Sequence, residues 1–241
     1  MVQYNHSGTD KPDGMAATWK SFYDTYEPDL GVMRLESREY VHRLERLGLI
    51  SEDATVLDFG CGAGFIAQML APKVKQVFLW DASAPMRRFA LSHTAQYPNV
   101  TLLDLSDPRG PEPGQACDII LVNSVIQYME WDPLTLWMSR WRQLLRKRGH
   151  VIISDIVTPD VNPYRDLADM MRFWLRNRMF SAFADLVPRL IRYRSVHQSR
   201  PLLKVELDAL ARISEAAGFR VEVQRENLTH FRTRKTVIFS V

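Results

Sequence analysis

Three glycines at alternate positions are the residues in this chain whose spacing most directly suggests a ligand. Gly60, Gly62 and Gly64 follow a short apolar run that ends at Asp58. Glycine lets the backbone turn tightly and lets a ligand approach it, because no Cβ stands in the way. The next apolar run ends at Asp81, where a carboxylate can accept hydrogen bonds from both hydroxyls of a ribose. These residues predict a site for a cofactor that contains a nucleoside.

The spacing of the glycines separates two classes of cofactor. Dinucleotide sites use G-x-G-x-x-G, in which the third glycine packs the helix against the strand and pyrophosphate lies at the helix N-terminus. Here the spacing is G-x-G-x-G, and Phe65 stands where the third dinucleotide glycine would be. Asp58 would repel a pyrophosphate, whereas it suits a cofactor with a cationic amino-acid end. The sequence therefore favours an adenosine cofactor of that second kind.

Short apolar runs alternate with amphipathic segments over residues 54–157, which predicts βαβ units and a parallel sheet covered on both faces. The predicted strands of this part are "ATVLDFG", "QVFLWD", "VTLLDL", "CDIILVNSV" and "HVIISDIV". A helix is expected over 132–149, before the fifth strand. After residue 200 the pattern predicts one more helix and then two strands, "FRVEVQREN" and "RKTVIFSV", that pair with each other.

Five segments in this order resemble the successive motifs of class I S-adenosylmethionine-dependent methyltransferases. They read "VLDFGCGAG", the acidic end of "VFLWDAS", "CDIILVNSVIQYM", "LLRKRGHVIISD" and "LDALARISEAAGFRVEV". The resemblance implies an α/β fold, Rossmann-like, with a seven-stranded mostly parallel sheet, an antiparallel last strand and helices on both faces. It implies S-adenosylmethionine as cofactor and S-adenosylhomocysteine as product. We expect an N-terminal tail and cap helices over 1–50, and the cofactor-binding domain over 51–241.

The same resemblance assigns cofactor contacts to individual residues. Asp58, Gly60 and Gly62 would lie against the methionine part, with Cys61 as a small residue inside the loop. Asp81 would bind the ribose, and the following contacts would complete the site: Ala82 and Met86 beside the adenine, Asp104 and Leu105 at its edge, and Asn123 and Ser124 beside the sulfonium. Asp107 competes with Asp104 for its place.

An aromatic segment before the first strand contains Tyr23 and Tyr26. Such a segment folds over the cofactor in related enzymes, so Tyr26 is a further candidate cofactor contact. Packing of these tyrosines on the edge of the sheet is the alternative.

Methyl transfer from a sulfonium is a direct displacement, so the enzyme mainly holds the acceptor in line and excludes water. An acceptor hydroxyl or amine can also need a base. Gln127 and Tyr128 follow the strand whose end would face the methyl group, and with His197 they are the predicted catalytic residues. His230 and Asp155 are further candidates for the base.

Residues 159–200 lie where many small-molecule members of this family carry a lid, and we expect a helical lid insertion there. Leu167, Met170, Met171, Trp174 and Leu175 are expected to form one apolar stripe, and the apolar residues of 180–191 a second. Eight arginines face four aspartates in this segment, which gives a local charge of +4. The lid could cover an apolar or aromatic acceptor with an anionic group, carry solvated arginines, or lie on an anionic membrane.

Composition narrows the class of protein. The 241 residues carry a net charge of +3, and the two cysteines show no spacing typical of disulfide frameworks or metal ligands. The polar first 20 residues lack the apolar core of a signal peptide, so we expect a cytoplasmic enzyme. We also expect it to need no metal and to be a monomer or a homodimer. The expected function is methyl transfer to O or N of a small-molecule acceptor, aromatic or apolar, rather than nucleic acid. The alternatives are an RNA or protein methyltransferase, and a non-methylating cyclase or binding protein of the same fold.

Overall fold

The computed structural model describes residues 21, 23–25, 29–103, 117–179 and 202–241. The strands are β1 (Thr55–Phe59), β2 (Gln76–Trp80), β3 (Val100–Leu102), β4 (Cys117–Asn123), β5 (Leu145–Ile156), β6 (Arg220–Val223) and β7 (Lys235–Ser240). The α-helices are α1 (Leu30–Glu45), α2 (Phe65–Leu70), α3 (Ala84–Thr94), α4 (Trp131–Leu144), α5 (Pro163–Arg176) and α6 (Leu207–Ala216).

All seven strands form one sheet in the order β3-β2-β1-β4-β5-β7-β6. The pairs β1–β2, β1–β4, β2–β3 and β4–β5 are parallel, whereas β7 runs antiparallel to both β5 and β6. This confirms the predicted α/β fold with an antiparallel last strand. The strand order changes direction between β1 and β4, and ligands bind at that point in open α/β sheets.

The central strands are buried on both faces, because helices cover the sheet on each side. Leu57 and Ile120 point to the face covered by α4 and α6, where Trp141 is fully buried. Val56 and Ile119 point to the opposite face, against α1 and α2. The alternation places Asp58 on the same face as Val56, so its carboxyl is directed towards α1.

Helix termini agree with local sequence signals. The side chain of Asp29 caps α1 by accepting a hydrogen bond from the N–H of Val32. Ser83 caps α3 in the same way, and Pro85 lies in the first turn of that helix, where its missing N–H costs no hydrogen bond. These caps fix where α1 and α3 begin, beside the glycine loop and the end of β2.

Two details differ from the sequence-based expectation. Helix α4 ends at Leu144 rather than at 149, because Leu145 already pairs with Cys117 of β4. The buried face of α5 also differs, since Asp169, Phe173 and Trp174 are buried while Met171 and Leu175 are exposed. Asp169 can be buried because Arg232, from the link before β7, pairs with it.

Among the described helices, none combines the length and the apolar character that crossing a bilayer requires.

Candidate functional site

The glycine loop joins β1 to α2, and all three of its glycines have positive φ. A Cβ on Gly60 would lie 2.4 Å from Val125 Cγ2, and one on Gly64 would lie 2.8 Å from the Cα of Ala90. A Cβ on Gly62 would meet only the end of the flexible Met33 side chain, at 3.4 Å. Close packing therefore requires glycine at 60 and 64, whereas Gly62 leaves its backbone open to a ligand.

Asp81 lies at the end of β2 and is bonded to the glycine loop. Its Oδ2 accepts a hydrogen bond from the N–H of Gly62 at 2.8 Å, and its Oδ1 accepts one from the N–H of Ser83 at 2.8 Å. Burial raises the pKa of this carboxyl, and the two N–H groups oppose that rise. Each carboxylate oxygen keeps a lone pair after these bonds, so the side chain can still accept the hydroxyls of a ribose.

Asp58 is 1% exposed at the end of β1. Its Oδ2 has no hydrogen-bond partner among the described residues. Burial first, and then the nearby carboxylate of Asp81, raise the pKa of Asp58 to about 7. Buried polar atoms without a partner are rare in folded proteins, and a cationic ligand group would satisfy this one.

The start of α3 forms the next part of the site. Met86 is 2% exposed and packs into the interior, while Ala82 lies in the link between β2 and α3. Arg87 Nη1 donates hydrogen bonds to the carbonyls of Asp81 and Ala82, at 2.8 and 3.0 Å. The guanidinium thus fixes the backbone of Asp81 and Ala82, the residues predicted to contact the ribose and the adenine.

The ends of β4 and β5 carry strained, hydrogen-bonded polar residues. Ser124 and Asp155 both have positive φ, 57° and 67°, and Ser124 Oγ donates to Asp155 Oδ2 at 2.8 Å. The Oδ1 atom of Asn123 is buried without a hydrogen-bond partner in the described part of the chain. Such unusual backbone conformations in non-glycine residues occur often at functional sites.

Gln127 and Tyr128 lie in a short 3-10 turn directly after β4. The backbone carbonyl of Gln127 accepts a hydrogen bond from the N–H of Leu203, which anchors the turn. The ring of Tyr128 packs edge-on against Tyr23, with centroids 5.6 Å apart. Burial raises the pKa of Tyr128, so its hydroxyl stays protonated at neutral pH and can donate or position but is a poor base.

Cys61 lies inside the glycine loop and is 7% exposed. Burial, and then the nearby Asp58 and Asp81, raise the pKa of its thiol well above the ordinary value. A thiol held in its neutral form is a weak nucleophile, which fits the expected role of a small residue within the loop.

Residues missed by the sequence motifs form a cluster of ion pairs between α5 and the β6–β7 link. Arg234 donates to Asp155 at 2.7 Å and to Asp166 at 2.9 Å, and so connects β5 with α5. Asp169 accepts hydrogen bonds from the backbone N–H and the Nε of Arg232, each at 2.8 Å. The signal in the sequence was the basic run "RTRK" at 232–235. No local pattern indicated that its arginines would pair with the acids of α5.

Two of the described lid arginines are partners of acids. Arg172 pairs with Asp169 within α5, and Arg176 pairs with Glu39 of α1. The second of these pairs holds α5 against α1.

His230 and Glu36 face each other beside this cluster. His230 Nδ1 lies 3.8 Å from Glu36 Oε1, and the imidazole stacks against Phe173 and Phe231 at 4.4 and 4.0 Å. Burial lowers the pKa of His230 to about 4, so the ring is neutral at neutral pH. Burial raises the pKa of Glu36 to about 8, and the neighbouring Asp155 adds to the rise.

Several predicted site residues lie outside the described residues. They are Tyr26, Asp104, Leu105 and His197, with the rival Asp107 and the second apolar stripe over 180–191. Their assignments remain predictions. No group of three or more His, Cys, Asp and Glu residues that could hold a metal ion occurs within the described ranges.

The residues present fit an S-adenosylmethionine cofactor. The orphaned oxygen of Asp58 suits a cationic amino group, and the open backbone at Gly62 leaves room for the ligand chain. The carboxylate of Asp81, at the end of the neighbouring strand, suits the ribose hydroxyls.

Known proteins with similar sequences include methyltransferases. An uncharacterized methyltransferase from Geobacillus kaustophilus is 25% identical over 172 residues, which are 71% of this chain and 72% of that protein. A probable S-adenosylmethionine-dependent methyltransferase from Mycobacterium tuberculosis is 26% identical over 140 residues, 58% of this chain and 49% of that one. Chondramide synthase from Chondromyces crocatus is 31% identical over 144 residues, and this chain spans only 4% of the synthase.

Solved structures share the fold. The N-methyltransferase NodS from Bradyrhizobium japonicum, in complex with S-adenosyl-L-homocysteine, has a TM-score of 0.60 at 15% identity, over 94% of this chain and 98% of NodS. Magnesium protoporphyrin IX methyltransferase from Synechocystis, also with S-adenosylhomocysteine, has a TM-score of 0.55 at 15% identity, over 92% of each chain.

The family model described as a methyltransferase domain matches residues 33–224, which include the glycine loop, Asp81 and the end of β4. The protein therefore belongs to the methyltransferase domain family, and this confirms the resemblance to class I S-adenosylmethionine-dependent methyltransferases that its motifs predicted.

Proposed function

We propose that this protein transfers a methyl group from S-adenosylmethionine to a nitrogen or oxygen of a small-molecule acceptor by direct displacement. The observation that carries the proposal is the position of two carboxylates, each at the end of a parallel strand, on either side of the glycine loop. Asp58 keeps an orphaned buried oxygen, and Asp81 is bonded to Gly62 at the same edge of the sheet. The relatives named as methyltransferases and the likeness to NodS support this function.

The chain's own residues supply binding and orientation. When bound, S-adenosylmethionine supplies a methyl group that its sulfonium already activates. We assign Asp81 to the ribose hydroxyls, Asp58 to the amino group and the open backbone at Gly62 to the methionine chain. Ala82 and Met86 would lie beside the adenine. The orphaned Asn123 Oδ1 would be satisfied by the bound cofactor at the end of β4.

Exclusion of water is the main catalytic demand of such a displacement, because the methyl donor needs no further activation. Helix α5 is held near the end of β5 and the start of β7 by the pairs of Asp166 with Arg234 and of Asp169 with Arg232. Gln127 and Tyr128 form part of the wall after β4. We assign these residues to closing the site around the acceptor and holding it in line.

The remaining parts of the proposal concern the setting of the enzyme. We place it in the cytoplasm, acting on a small molecule rather than nucleic acid, as a monomer or homodimer.

Calorimetry with S-adenosylhomocysteine tests the cofactor site. We expect Asp81→Ala to weaken binding about a hundredfold or more, because two charge-assisted hydrogen bonds to the ribose are lost. Asp53→Ala, which removes an exposed loop carboxylate, is the matched control and should bind as the wild type does. Circular dichroism checks that both variants are folded. Unchanged affinity in Asp81→Ala would remove the site assignment, and no binding by the wild type would refute the function.

A further inference from the structure

Glu36 lines a recess beside the candidate methyl-transfer site. It lies on the inner side of α1, where surrounding protein raises the pKa of its carboxyl to about 8. Its side chain nevertheless keeps 37% of its surface accessible. A carboxyl group that is partly accessible and lies 3.8 Å from the buried His230 lines a recess rather than filling the core.

The position of this recess follows from its neighbours. Met33, one turn before Glu36 on α1, lies over Gly62 of the glycine loop. Asp155, which acts electrostatically on Glu36, accepts a hydrogen bond from Ser124 at the end of β4. Glu36 therefore lies between the glycine loop and the strand end beside which the methyl group is expected.

The charges around the recess are unequal. Asp169 has two arginine partners, Arg172 and Arg232, both of which point largely into solvent. Asp155 and Asp166 share Arg234, which is only 11% exposed. On the inner side two carboxylates therefore share one guanidinium, while Arg43 of α1, which also acts on His230, pairs with Glu39.

Glu36 adds a further negative charge when it is ionised, which is its major form above about pH 8. The group within 4 Å of its carboxyl in the described part of the chain is His230, whose imidazole is neutral at neutral pH. The side chain of His230 is 95% buried. Its Nε2 nevertheless has no hydrogen-bond partner in the same described ranges. A polar ligand group with hydrogens to donate would satisfy both Glu36 and this nitrogen.

We propose that Glu36 and His230 form the acceptor subsite, and that the acceptor is an amine whose proton passes to the Glu36 carboxylate before methylation. The inference rests on the proposed function and names its substrate class. An ammonium group on an apolar body enters the recess and gives one proton to Glu36. The free amine nitrogen attacks the methyl carbon, so that an N–C bond forms while the C–S bond breaks and its electron pair goes to sulfur. The product leaves as a methylated ammonium ion, which carries the positive charge that the sulfonium loses.

Proton affinities suit this transfer. An alkyl ammonium group has an ordinary pKa of about 10, so an unperturbed carboxylate would be about six units too weak a base. The raised pKa of Glu36 reduces the difference to about two units, which proton transfer can tolerate. Tyr128 stays protonated, because burial raises its pKa, and it is therefore not the base.

Several charged groups face Glu36 and bias its titration. The N-cap residue Asp29 faces Glu36 from before α1, Asp155 from the end of β5, and His230 and Arg234 from the β6–β7 link. Arg43 of α1 acts on His230 in turn. From α5, Asp166 reaches the recess through its pair with Arg234. Arg234 alone lowers the pKa of Glu36, while burial and both aspartates raise it.

A binding experiment on the full chain, saturated with S-adenosylhomocysteine and run at about pH 8.5, where most Glu36 is ionised, tests the subsite without turnover. The probes are benzylammonium chloride and sodium benzoate, which share a ring and differ in charge. We expect the wild type to bind the cation about tenfold more tightly than the anion, and Glu36→Gln to lose that preference. Glu45→Gln, on the surface of the same helix where Glu45 pairs with Lys73, is the matched control and should keep it. Equal or tighter binding of benzoate, no binding of the cation, or an unchanged preference in Glu36→Gln overturns the proposal.

Two further measurements separate this inference from the proposed function. Affinity for S-adenosylhomocysteine should change less than about twofold in Glu36→Gln, since the residue serves the acceptor. A large loss would assign Glu36 to the cofactor and overturn the subsite. With methyl-labelled S-adenosylmethionine, amines should take up more label than alcohols of the same carbon skeleton. Label in alcohols alone would refute the amine while keeping the methyltransferase, whereas absent cofactor binding would refute the function itself.

Discussion

Asp81 Oδ2 lies 2.8 Å from the backbone nitrogen of Gly62 and accepts its hydrogen bond. The carboxylate at the end of β2 and the loop that follows β1 are therefore fixed to each other by the protein's own atoms. Such preorganisation lowers the ordering cost of cofactor binding, because the donor and acceptor groups already hold their places. It also means that Asp81 has a structural contact besides its proposed ribose contact.

Alanine at Gly62 and at Gly64 should have different consequences. Gly64→Ala places a Cβ 2.8 Å from the Cα of Ala90 at φ +78°, so we expect a loss of about 2–4 kcal/mol in the free energy of unfolding. Gly62→Ala meets only the flexible end of Met33, at 3.4 Å, and should cost about 1 kcal/mol for its positive φ. Urea denaturation measures both changes.

The two glycine variants should rank in the opposite order in their effect on cofactor affinity, with Gly62→Ala the more harmful. Gly62→Ala is expected to weaken S-adenosylhomocysteine binding about tenfold or more, since the new methyl group occupies the approach to the backbone. Calorimetry on folded protein measures it. A Gly62→Ala variant that binds like the wild type would mean that the ligand does not pass over Gly62.

Replacing Asp58 by Asn should stabilise the protein without cofactor. The pKa of Asp58 is raised to about 7, so between about pH 4 and 7 the folded state holds more protons than the unfolded state. The free energy of unfolding therefore falls as pH rises through that window and is lowest above it. Asp58→Asn should be more stable than the wild type by about 1–3 kcal/mol at pH 8, and nearly equal to it at pH 4.

Urea denaturation at the two pH values measures this gain, and Asp53→Asn on an exposed loop controls for charge alone. The same Asp58→Asn variant should gain less thermal stability from S-adenosylhomocysteine than the wild type gains. Lower stability of Asp58→Asn at pH 8 would show that the ionised carboxylate is satisfied within the fold.

Asp169 should hold α5 in place. Its carboxylate is 2% exposed and accepts three hydrogen bonds of 2.8 Å, from Arg172 Nη1 and from the backbone and Nε of Arg232. We expect Asp169→Asn to cost about 2–4 kcal/mol in the free energy of unfolding, because a buried partner of two guanidinium groups loses its charge. Asp132→Asn, on the exposed first turn of α4, should change it little. Equal urea midpoints for the two variants would contradict this role.

Removal of the Tyr128 hydroxyl should lower the rate without changing the pH dependence. The surrounding protein raises the pKa of the hydroxyl, which is protonated at neutral pH and so positions rather than accepts protons. Once label transfer has identified an acceptor, Tyr128→Phe should lower kcat/KM by less than about a hundredfold. Loss of a general base typically lowers the rate by about a hundredfold or more, so a smaller loss indicates a positioning role. Tyr164→Phe, on the exposed face of α5, is the matched control. Disappearance of the basic limb of the pH profile in Tyr128→Phe would make Tyr128 the base.

Local patterns in the sequence determined the sheet and the cofactor loop. Buried parallel strands appear as continuous apolar runs, and a G-x-G-x-G turn between strand and helix depends on backbone conformations that few other residues adopt. The position of Asp81 at the end of the next strand follows from the same patterns, because parallel strands end at one edge of the sheet. The structure adds the hydrogen bond that joins Asp81 to Gly62.

Tertiary structure alone decided the composition of the recess. Glu36 belongs to an ordinary amphipathic helix, and no local signal separates it from its exposed neighbours. Its contact with His230 depends on how α1 packs beside the β6–β7 link. The arginines of the lid suggested an anion site from their number, yet Arg176 is paired with Glu39 of α1 in the fold. Charge pairing between distant segments depends on packing geometry, which residue spacing along the chain does not encode.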